Sequence, residues 1–469
     1  MLFNSPQFAL FLLAVLAIYR LLPRPHRNPF LLAASLLFYT LWLPAYLVLL
    51  LLDIGVNYAL LRGMVRSSRP RLYLIASVGF TLGLLGTFKY AAMLVTTLLP
   101  FLDGVFEHAV GIPDFFLPLG ISFYSFQILA LTIDTYRGER AEIPSLSRYT
   151  LFISFFPQLV AGPILRGAQF LPQLARGGEM SPERTRRGFW LLGIGLAKKV
   201  ILADYLLSGF VDLVFDAHGV VEAPIFYWVA LYSFAFQIYY DFSGYTDMAR
   251  GIALLLGYEL PLNFMEPYLS RNPSEFWRRW HITLSRWLAD YLYIPLGGNR
   301  SGATRTLVNL MLTMLLGGLW HGGSWNFVIW GGLHGLILVV HRLMGRQQVD
   351  ISAPVRWRDL PSILVFFHLV CLAWIFFRAD DFAAALDFLQ HMFMGQDNFG
   401  LPLVQMGIVA LCVGLQMAER FIRVRLPAIR DRLAQSPWSD AWEGAALGAI
   451  FALAVVVSGV GGDFIYFQF

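Results

Sequence analysis

The sequence predicts an all-α, polytopic integral membrane protein with about 11 to 13 transmembrane helices plus re-entrant and interfacial helices. Hydrophobic residues make up 57% of the 469 residues and charged residues only 14%, whereas soluble domains are about a quarter charged. Apolar runs recur along the whole chain, each close to the roughly 20 residues that a helix needs to cross the hydrocarbon core. These runs do not alternate as barrel strands do, so helices must satisfy their backbone in lipid.

The apolar runs predict the positions of the spans. The predicted spans are residues 8–22, 29–43, 45–61, 72–101, 115–135, 188–212, 224–247, 303–320, 324–341, 362–377, 403–418 and 441–459. A further apolar piece, residues 151–164, is short and carries Pro157 and Pro163, which favours a re-entrant segment. We expect residues 1–469 to form a single membrane-embedded domain with a short aromatic tail at 464–469.

Basic residues predict the orientation of these spans. Most of the 35 lysine and arginine residues fall in alternate loops, which are cytoplasmic by the positive-inside rule. Both termini then lie outside, in the periplasm of a bacterial inner membrane. The first run, Phe8 to Leu22, follows a start without basic residues and lacks a small-residue cleavage site. We therefore interpret it as a retained span and not as a signal peptide.

The composition argues against several classes of protein. The net charge of +5 is explained by basic loops that face anionic lipid, so no nucleic-acid partner is expected. Cys371 and Cys412 both lie in apolar runs without metal-ligand spacing, which predicts buried cysteines and no metal site. The sequence contains no P-loop, no dinucleotide-binding glycine motif and no HExxH motif, and we expect no bound cofactor.

The longest predicted cytoplasmic segment carries the first candidate site. It reads Pro-Ser-Glu-Phe-Trp-Arg-Arg-Trp-His over residues 273–281 and Tyr-Ile-Pro-Leu-Gly-Gly-Asn-Arg over residues 293–300. On a helix that starts at Ser274, Trp277, Trp280 and His281 would share one face, and Arg278 and Arg279 would project elsewhere. An amphipathic helix at the inner membrane interface explains the same pattern. From spacing alone, a functional role for His281 is therefore only one of two interpretations.

The second candidate site lies between two apolar runs. His321 stands in Gly-Gly-Leu-Trp-His-Gly-Gly-Ser-Trp over residues 317–325, and His334 follows in Gly-Gly-Leu-His-Gly. Glycines permit a helix break or a close backbone approach, and an ionisable residue within a span is a functional candidate. An imidazole with an ordinary pKa of about 6.5 can accept a proton at neutral pH. The alternative is that each histidine is hydrogen-bonded into the core.

The chain ends in a group of aromatic residues. After Gly461 and Gly462 the sequence reads Asp-Phe-Ile-Tyr-Phe-Gln-Phe, ending at Phe469. The composition favours an aromatic belt at the outer interface of the membrane. A short tail that dips back into the protein is the alternative.

Together these blocks resemble the membrane-bound O-acyltransferase family, most closely its members that acetylate bacterial alginate. The matching pieces are residues 275–281, 293–300 and 317–335, and the likeness covers essentially the whole chain. The resemblance implies that His321 is the catalytic histidine and that His281 matches a second recurrent polar position. The tail resembles an aromatic C-terminal motif in which a tyrosine is proposed to carry the acyl group, which implies Tyr466 as the carrier.

The resemblance also implies a function. The protein would be an O-acyltransferase that moves an acetyl group from a cytosolic donor, acetyl-CoA by analogy, across the membrane for O-acetylation of an extracellular polysaccharide such as alginate. A separate periplasmic acetyltransferase would complete the transfer. The sequence leaves open acetyl or D-alanyl transfer to peptidoglycan, cellulose or teichoic acid. A secondary transporter with buried ionisable residues, or a non-catalytic scaffold, is also left open.

Overall fold

The computed structural model describes residues 3–102, 117–139, 142–216, 223–345, 350–351, 353, 355–395, 400–433, 439–457 and 465. Side chains are described over the same ranges, apart from residues 99–102, 424–433, 439 and 440. The secondary structure in these ranges is helical throughout, without a strand. The predicted all-α class is confirmed.

The α-helices are numbered α1 to α19 in chain order. They are Pro6–Leu21, Arg24–Thr40, Pro44–Arg66, Pro70–Leu102, Ile121–Tyr136, Leu146–Ser154, Phe156–Leu159, Gly167–Arg176, Pro182–Leu196, Gly209–Phe215, Pro224–Leu255, Pro273–Trp277, Ile282–Leu288, Ala303–His321, Trp325–Leu343, Leu360–Arg378, Phe382–Met394, Leu403–Leu433 and Ser439–Val457. The described chain also contains π-helical segments at Ala197–Ser208 and Ala289–Tyr293, and 3-10 turns at Pro267–Leu269 and Trp357–Asp359.

Each predicted span overlaps one or more of these helices. Five helices in the described residues are long and apolar enough to cross a membrane, judged by length and composition. They are Pro44–Arg66, Pro70–Leu98, Trp325–Leu343, Trp357–Arg378 and Leu403–Arg423, and Pro6–Leu21 and Ala441–Val457 are shorter apolar helices. The chain is therefore a multi-pass membrane protein, and the total of about a dozen crossings stays a prediction.

The stretch predicted to be re-entrant is broken into short pieces. Helix α6 ends at Ser154, and α7 is a single turn from Phe156 to Leu159. Pro157 lies in the first turn of α7, where a proline is tolerated because its missing N–H would have no partner inside the helix. Neither helix is long enough to cross a bilayer.

The chain forms two compact units, Met1–Leu191 with Met248–Pro261 and Leu192–Asp247 with Leu262–Phe469. In the first unit, a buried polar cluster joins α3 and α4. The Asn57 side-chain amide donates to Asp53 Oδ1 at 2.7 Å and to Thr81 Oγ1 at 3.0 Å. Hydrogen bonds of this kind hold membrane helices together where apolar packing alone gives no preference over lipid.

In the second unit, α14 and α15 form a hairpin around the second candidate site. Helix α14 ends at His321 because the next residue, Gly322, has an extended backbone. Ser324 begins α15 as its N-cap, since its hydroxyl oxygen accepts the Asn326 N–H at 3.3 Å. The Gly-Gly-Ser sequence after His321 thus sets the end of one helix and the start of the next.

Glycines allow the two helices of this hairpin to approach closely. A Cβ atom on Gly331 would lie 2.3 Å from the carbonyl oxygen of Met314, and one on Gly318 would lie 2.2 Å from that of Phe327. Only glycine fits at such distances, and small residues at helix contacts are typical of membrane bundles. The position of His321 relative to α15 depends on this contact.

We predict that Gly331→Ala separates α14 from α15, because its added methyl group would meet the Met314 carbonyl. The expected loss of stability is about 1–3 kcal/mol, as for other overpacked sites. Gly332→Ala is the matched control, since its Cβ would meet only Leu315 Cδ2 at 3.4 Å. Thermal unfolding of both variants in detergent measures the difference. Equal melting temperatures would contradict the proposed close contact.

Candidate active site

His321 lies at the C-terminal end of α14 and is buried, with 4% of its surface exposed. Aromatic rings surround it. Its ring centroid lies 5.0 Å from that of Trp330, 5.1 Å from that of Trp320 and 5.4 Å from that of Phe377. An imidazole in such apolar surroundings interacts strongly with any charge that develops beside it, because little water screens the interaction.

The structure brings His321 and His281 together. Their ring centroids are 6.4 Å apart, and Trp320 contacts both rings. His281 is fully buried. Two histidines from separate sequence blocks thus share one aromatic enclosure in the second unit, as two parts of one site would.

Asn263 holds the His281 ring in place. His281 Nδ1 lies 3.2 Å from Asn263 Oδ1, and the same oxygen accepts the Thr283 N–H at 3.2 Å and the Thr283 hydroxyl at 2.9 Å. Because this oxygen can only accept, His281 donates from Nδ1 and carries a lone pair on Nε2. Burial lowers the pKa of His281 to about 3, so the ring is neutral at pH 7.

The helix predicted to run from Ser274 through His281 is wrong. Helix α12 ends at Trp277, and His281 has a left-handed backbone with φ of 42° just before α13 begins. The chain turns here because the Ile282 N–H donates to the Asn263 carbonyl oxygen at 2.9 Å. Trp277 and His281 therefore do not share a helical face.

Arg279, predicted to project away from the face of Trp277 and His281, is buried in an ion pair. Its side chain is 1% exposed, because Arg279 Nη2 lies 2.8 Å from Glu275 Oε1. Arg271 Nε lies 2.8 Å from the other oxygen of the same carboxylate. The interfacial-helix interpretation fails for the same reason, since Glu275 is fully buried and not at a lipid surface.

The charge state of Glu275 follows from these contacts. Burial raises the pKa of the Glu275 carboxyl, but the hydrogen bonds and charges of Arg271 and Arg279 outweigh burial and hold the pKa below its usual range. The carboxylate stays ionised and paired with both arginines. It fixes the short helix α12 and the turn that follows it.

His334 is buried in a separate group of rings. Its ring centroid lies 4.7 Å from that of Trp330, 5.1 Å from that of Trp277 and 5.9 Å from that of Phe276. Trp330 contacts both His334 and His321. This packing favours the interpretation of His334 as a core residue that supports Trp330.

Tyr466 lies outside the described residues, as do residues 464 and 467–469. Ile465 is described, and it is buried, with 6% of its surface exposed. Its N–H donates to Asp241 Oδ2 at 2.7 Å. At this residue the structure favours a tail that dips into the protein over an aromatic belt at the membrane surface.

Sequence analysis missed Asn263, Lys199 and Asp241. Lys199 and Asp241 each fall inside a predicted span, and ionisable residues there mark functional positions. That signal could have identified both positions, and the structure pairs them, with Lys199 Nζ 2.7 Å from Asp241 Oδ1. Asn263 carries no such signal, because a loop asparagine is common. In the described residues, no group of three or more His, Cys, Asp or Glu side chains could hold a metal ion.

Comparison with known proteins identifies a family model that matches the candidate site region. Residues 121–378, which include both His281 and His321, match the family model for MBOAT, the membrane-bound O-acyltransferase family. The chain is 38% identical to a peptidoglycan O-acetyltransferase of Helicobacter pylori over 435 residues, which cover 84% of this chain and 80% of that protein. It is 37% identical to a probable alginate O-acetylase of Pseudomonas aeruginosa over 399 residues, covering 84% of this chain and 75% of that protein. A teichoic acid D-alanyltransferase of Bacillus subtilis is 28% identical over 278 residues, covering 56% of this chain and 69% of that protein.

We predict that Glu275→Gln destabilises the protein by about 3 kcal/mol or more, because it leaves buried Arg279 and half-buried Arg271 without their shared carboxylate. Glu259→Gln is the control, since its pair with Arg187 at 3.5 Å is solvent-exposed and surface pairs contribute about 1 kcal/mol or less. Chemical unfolding in detergent measures both. Because the pKa of Glu275 lies below its ordinary value of 4.5, the difference should persist at neutral pH and shrink as acid protonates the carboxylate. Equal effects of the two variants would contradict this account.

Proposed function

Because this chain belongs to the membrane-bound O-acyltransferase family, we propose that His321 is the general base of an acetyl transfer that serves an extracellular polysaccharide. The observation that carries this proposal is the pairing of buried His321 with His281 inside one aromatic enclosure. An imidazole is a base suited to deprotonating a hydroxyl at neutral pH. The chain is an O-acyltransferase. We propose the identity of its acyl group, its donor and its acceptor.

His281 supports His321 by staying neutral. When His321 takes up a proton it becomes an imidazolium, and a second positive charge 6.4 Å away, centroid to centroid, would oppose that step. Burial lowers the pKa of His281 to about 3, so no such charge is present at physiological pH. The Asn263 contact keeps the ring in one orientation while the neighbouring base changes its charge.

The proposed acyl carrier is Tyr466. In the first transfer, the Tyr466 phenol oxygen attacks the thioester carbonyl carbon and His321 accepts the phenol proton. A carbon–oxygen bond forms, the carbon–sulfur bond breaks, and the proton passes to the departing thiolate. A phenol with a pKa of about 10 is a better leaving group than a sugar alkoxide, so the aryl ester can acylate a polysaccharide hydroxyl in the next step. The buried position of Ile465, the preceding residue, supports a tail that enters the protein.

The donor, the partner and the orientation complete the proposal. Acetyl-CoA is the proposed donor on the cytosolic side, and a periplasmic acetyltransferase is the proposed partner that places the acetyl group on the polymer. The distribution of basic residues supports a bacterial inner-membrane location with both termini in the periplasm. A tail that carries the acyl group outward would then link a cytosolic donor to an extracellular acceptor.

Alginate is the first proposed acceptor and peptidoglycan the second. A probable alginate O-acetylase and a peptidoglycan O-acetyltransferase match this chain at 37% and 38% identity over the same share of its length. Teichoic acid D-alanylation is a weaker candidate, since that relative matches at 28% over 56% of the chain. Cellulose acetylation rests on family likeness alone.

We predict that wild-type protein in detergent retains label from radiolabelled acetyl-CoA on its C-terminal peptide. His321→Ala and Tyr466→Phe should each lower that label about 100-fold or more, since one removes the base and the other the acceptor. His391→Ala is the control, because His391 stacks on Tyr227 at a centroid distance of 5.4 Å outside the candidate site. Label that persists in Tyr466→Phe would exclude Tyr466 as carrier. Unchanged polymer acetylation in cells that carry His321→Ala would favour a scaffold or transporter.

We predict that deleting the gene in its own host removes ester-linked acetate from the exopolysaccharide and leaves that of peptidoglycan unchanged. Acetate released by mild alkali from each purified polymer measures the effect, and a plasmid-borne copy of the wild-type gene is the control. Loss of ester-linked acetate from peptidoglycan alone would show that peptidoglycan, and not alginate, is the acceptor. Loss of ester-linked alanine in place of acetate would contradict the proposed acyl group.

A further inference from the structure

The second unit contains a buried ion cluster that the proposed chemistry does not use. Lys199 Nζ lies 2.8 Å from Asp204 Oδ1 and 2.7 Å from Asp241 Oδ1. The three residues are 2%, 5% and 1% exposed, in that order. Burying three charged groups is costly even when they are paired, so such a cluster in a membrane protein is a candidate for function.

The backbone is arranged to bring these residues together. Lys199 and Asp204 lie in the π-helical segment Ala197–Ser208, and Asp241 lies in α11. A Cβ atom on Gly244 would lie 2.7 Å from the Gly195 carbonyl oxygen, so α11 and the chain just before the π-helical segment approach as closely as glycine permits. π-helical segments occur frequently at functional sites.

The tail is the further partner of this cluster. Asp204 and Asp241 both bind the buried Lys199 ammonium. Asp241 directs Oδ1 to Lys199 and Oδ2 to the N–H of Ile465, at 2.7 Å in each case. A hydrogen bond from an N–H to an ionised carboxylate is about twice as strong as one between neutral groups. The cluster therefore binds the chain at Ile465 through its main-chain N–H.

The position of this contact connects the tail to the histidine pair. Phe242, the residue after Asp241, contacts the His281 ring at a centroid distance of 4.8 Å. The His281 ring in turn lies beside His321. Helix α11 thus carries both the carboxylate that binds Ile465 and the side chain that packs on His281. Ile465 directly precedes Tyr466 in the sequence.

We propose that Asp241, held by Lys199, is a positioning residue that docks the C-terminal tail so that Tyr466 reaches His321. Docking of the tail stands on the described contacts, whereas its purpose rests on the proposed role of Tyr466. Binding through the Ile465 main chain uses no atom of Tyr466, the proposed carrier. An undocked tail would have to find His321 by diffusion, which lowers the effective concentration of the phenol at the base.

The first test measures the accessibility of the tail. In an Ile465→Cys protein, the introduced thiol is expected to react slowly with a maleimide, because position 465 is buried, and Cys371 and Cys412 are buried as well. Adding Asp241→Ala should raise the labelling rate about tenfold or more, the effect of losing a hydrogen bond to a charged group. Adding Asp247→Ala is the matched control. Asp247 lies on α11 like Asp241, but it pairs with Lys198, at 3.1 Å. A rate unchanged by Asp241→Ala would overturn the docking.

The second test leaves the buried cluster intact, so it does not depend on the folding of Asp241 variants. Ile465→Pro removes the N–H donor, and Ile465→Val is the conservative variant that keeps it. With radiolabelled acetyl-CoA, the proline variant should carry about tenfold less label on its tail than the valine variant, at equal melting temperature. Equal label on the two would overturn the positioning role. If label persists in Tyr466→Phe, the carrier hypothesis fails, and the maleimide rates still decide whether Asp241 docks the tail.

Discussion

One buried carboxylate determines where the candidate site lies. Glu275 is fully buried and binds Arg271 and Arg279 through its two oxygens, each at 2.8 Å. A charge in such a position must be paired, because an isolated one would cost several kcal/mol. The pairing spans residues 271–279, and α12 ends within this stretch at Trp277. The turn that follows places His281 beside His321, so the histidine pair depends on a salt bridge that touches neither ring.

Close helix packing supplies the other half of the site. Gly331 and Gly318 let α14 and α15 approach until a side chain would no longer fit. His321 therefore stands at the end of a rigid hairpin, with its ring against Trp330 and Trp320. Catalytic groups need fixed neighbours, because a base displaced by about 1 Å loses much of its effect. The aromatic wall also keeps the surroundings apolar, which strengthens the electrostatic effects of proton transfer.

Much of this architecture could be predicted from the sequence. The spans follow from apolar runs of helical length, and the end of α14 at His321 follows from the glycines after it. The resemblance to an acyltransferase family singled out His321 and His281. The turn at His281 could not be predicted, because it depends on the distant Asn263 and on the pairing of Arg279 with Glu275. The Pro-Ser-Glu-Phe-Trp-Arg-Arg-Trp-His sequence contains no helix-breaking residue after its proline, so only tertiary contacts end the helix early.

The position of the C-terminal tail also could not be predicted from the sequence. Four aromatic residues among the last six favoured an interfacial belt on composition, whereas the described residue, Ile465, is buried against Asp241. Lys199 and Asp241 lie in separate predicted spans, and hydropathy alone gives no information about which spans are neighbours. Ionisable residues inside spans were the available signal, and they identify positions but not partners.

The central claim is that the acyl group crosses the membrane on the protein's own tail. Right-side-out membrane vesicles loaded with radiolabelled acetyl-CoA test this most directly, with neutral hydroxylamine added outside to cleave an exposed aryl ester. We expect labelled protein whose C-terminal peptide loses its label to external hydroxylamine, while its Tyr466→Phe variant carries none. Label on the wild-type protein that resists external hydroxylamine, and is lost only after detergent opens the vesicles, would contradict the account.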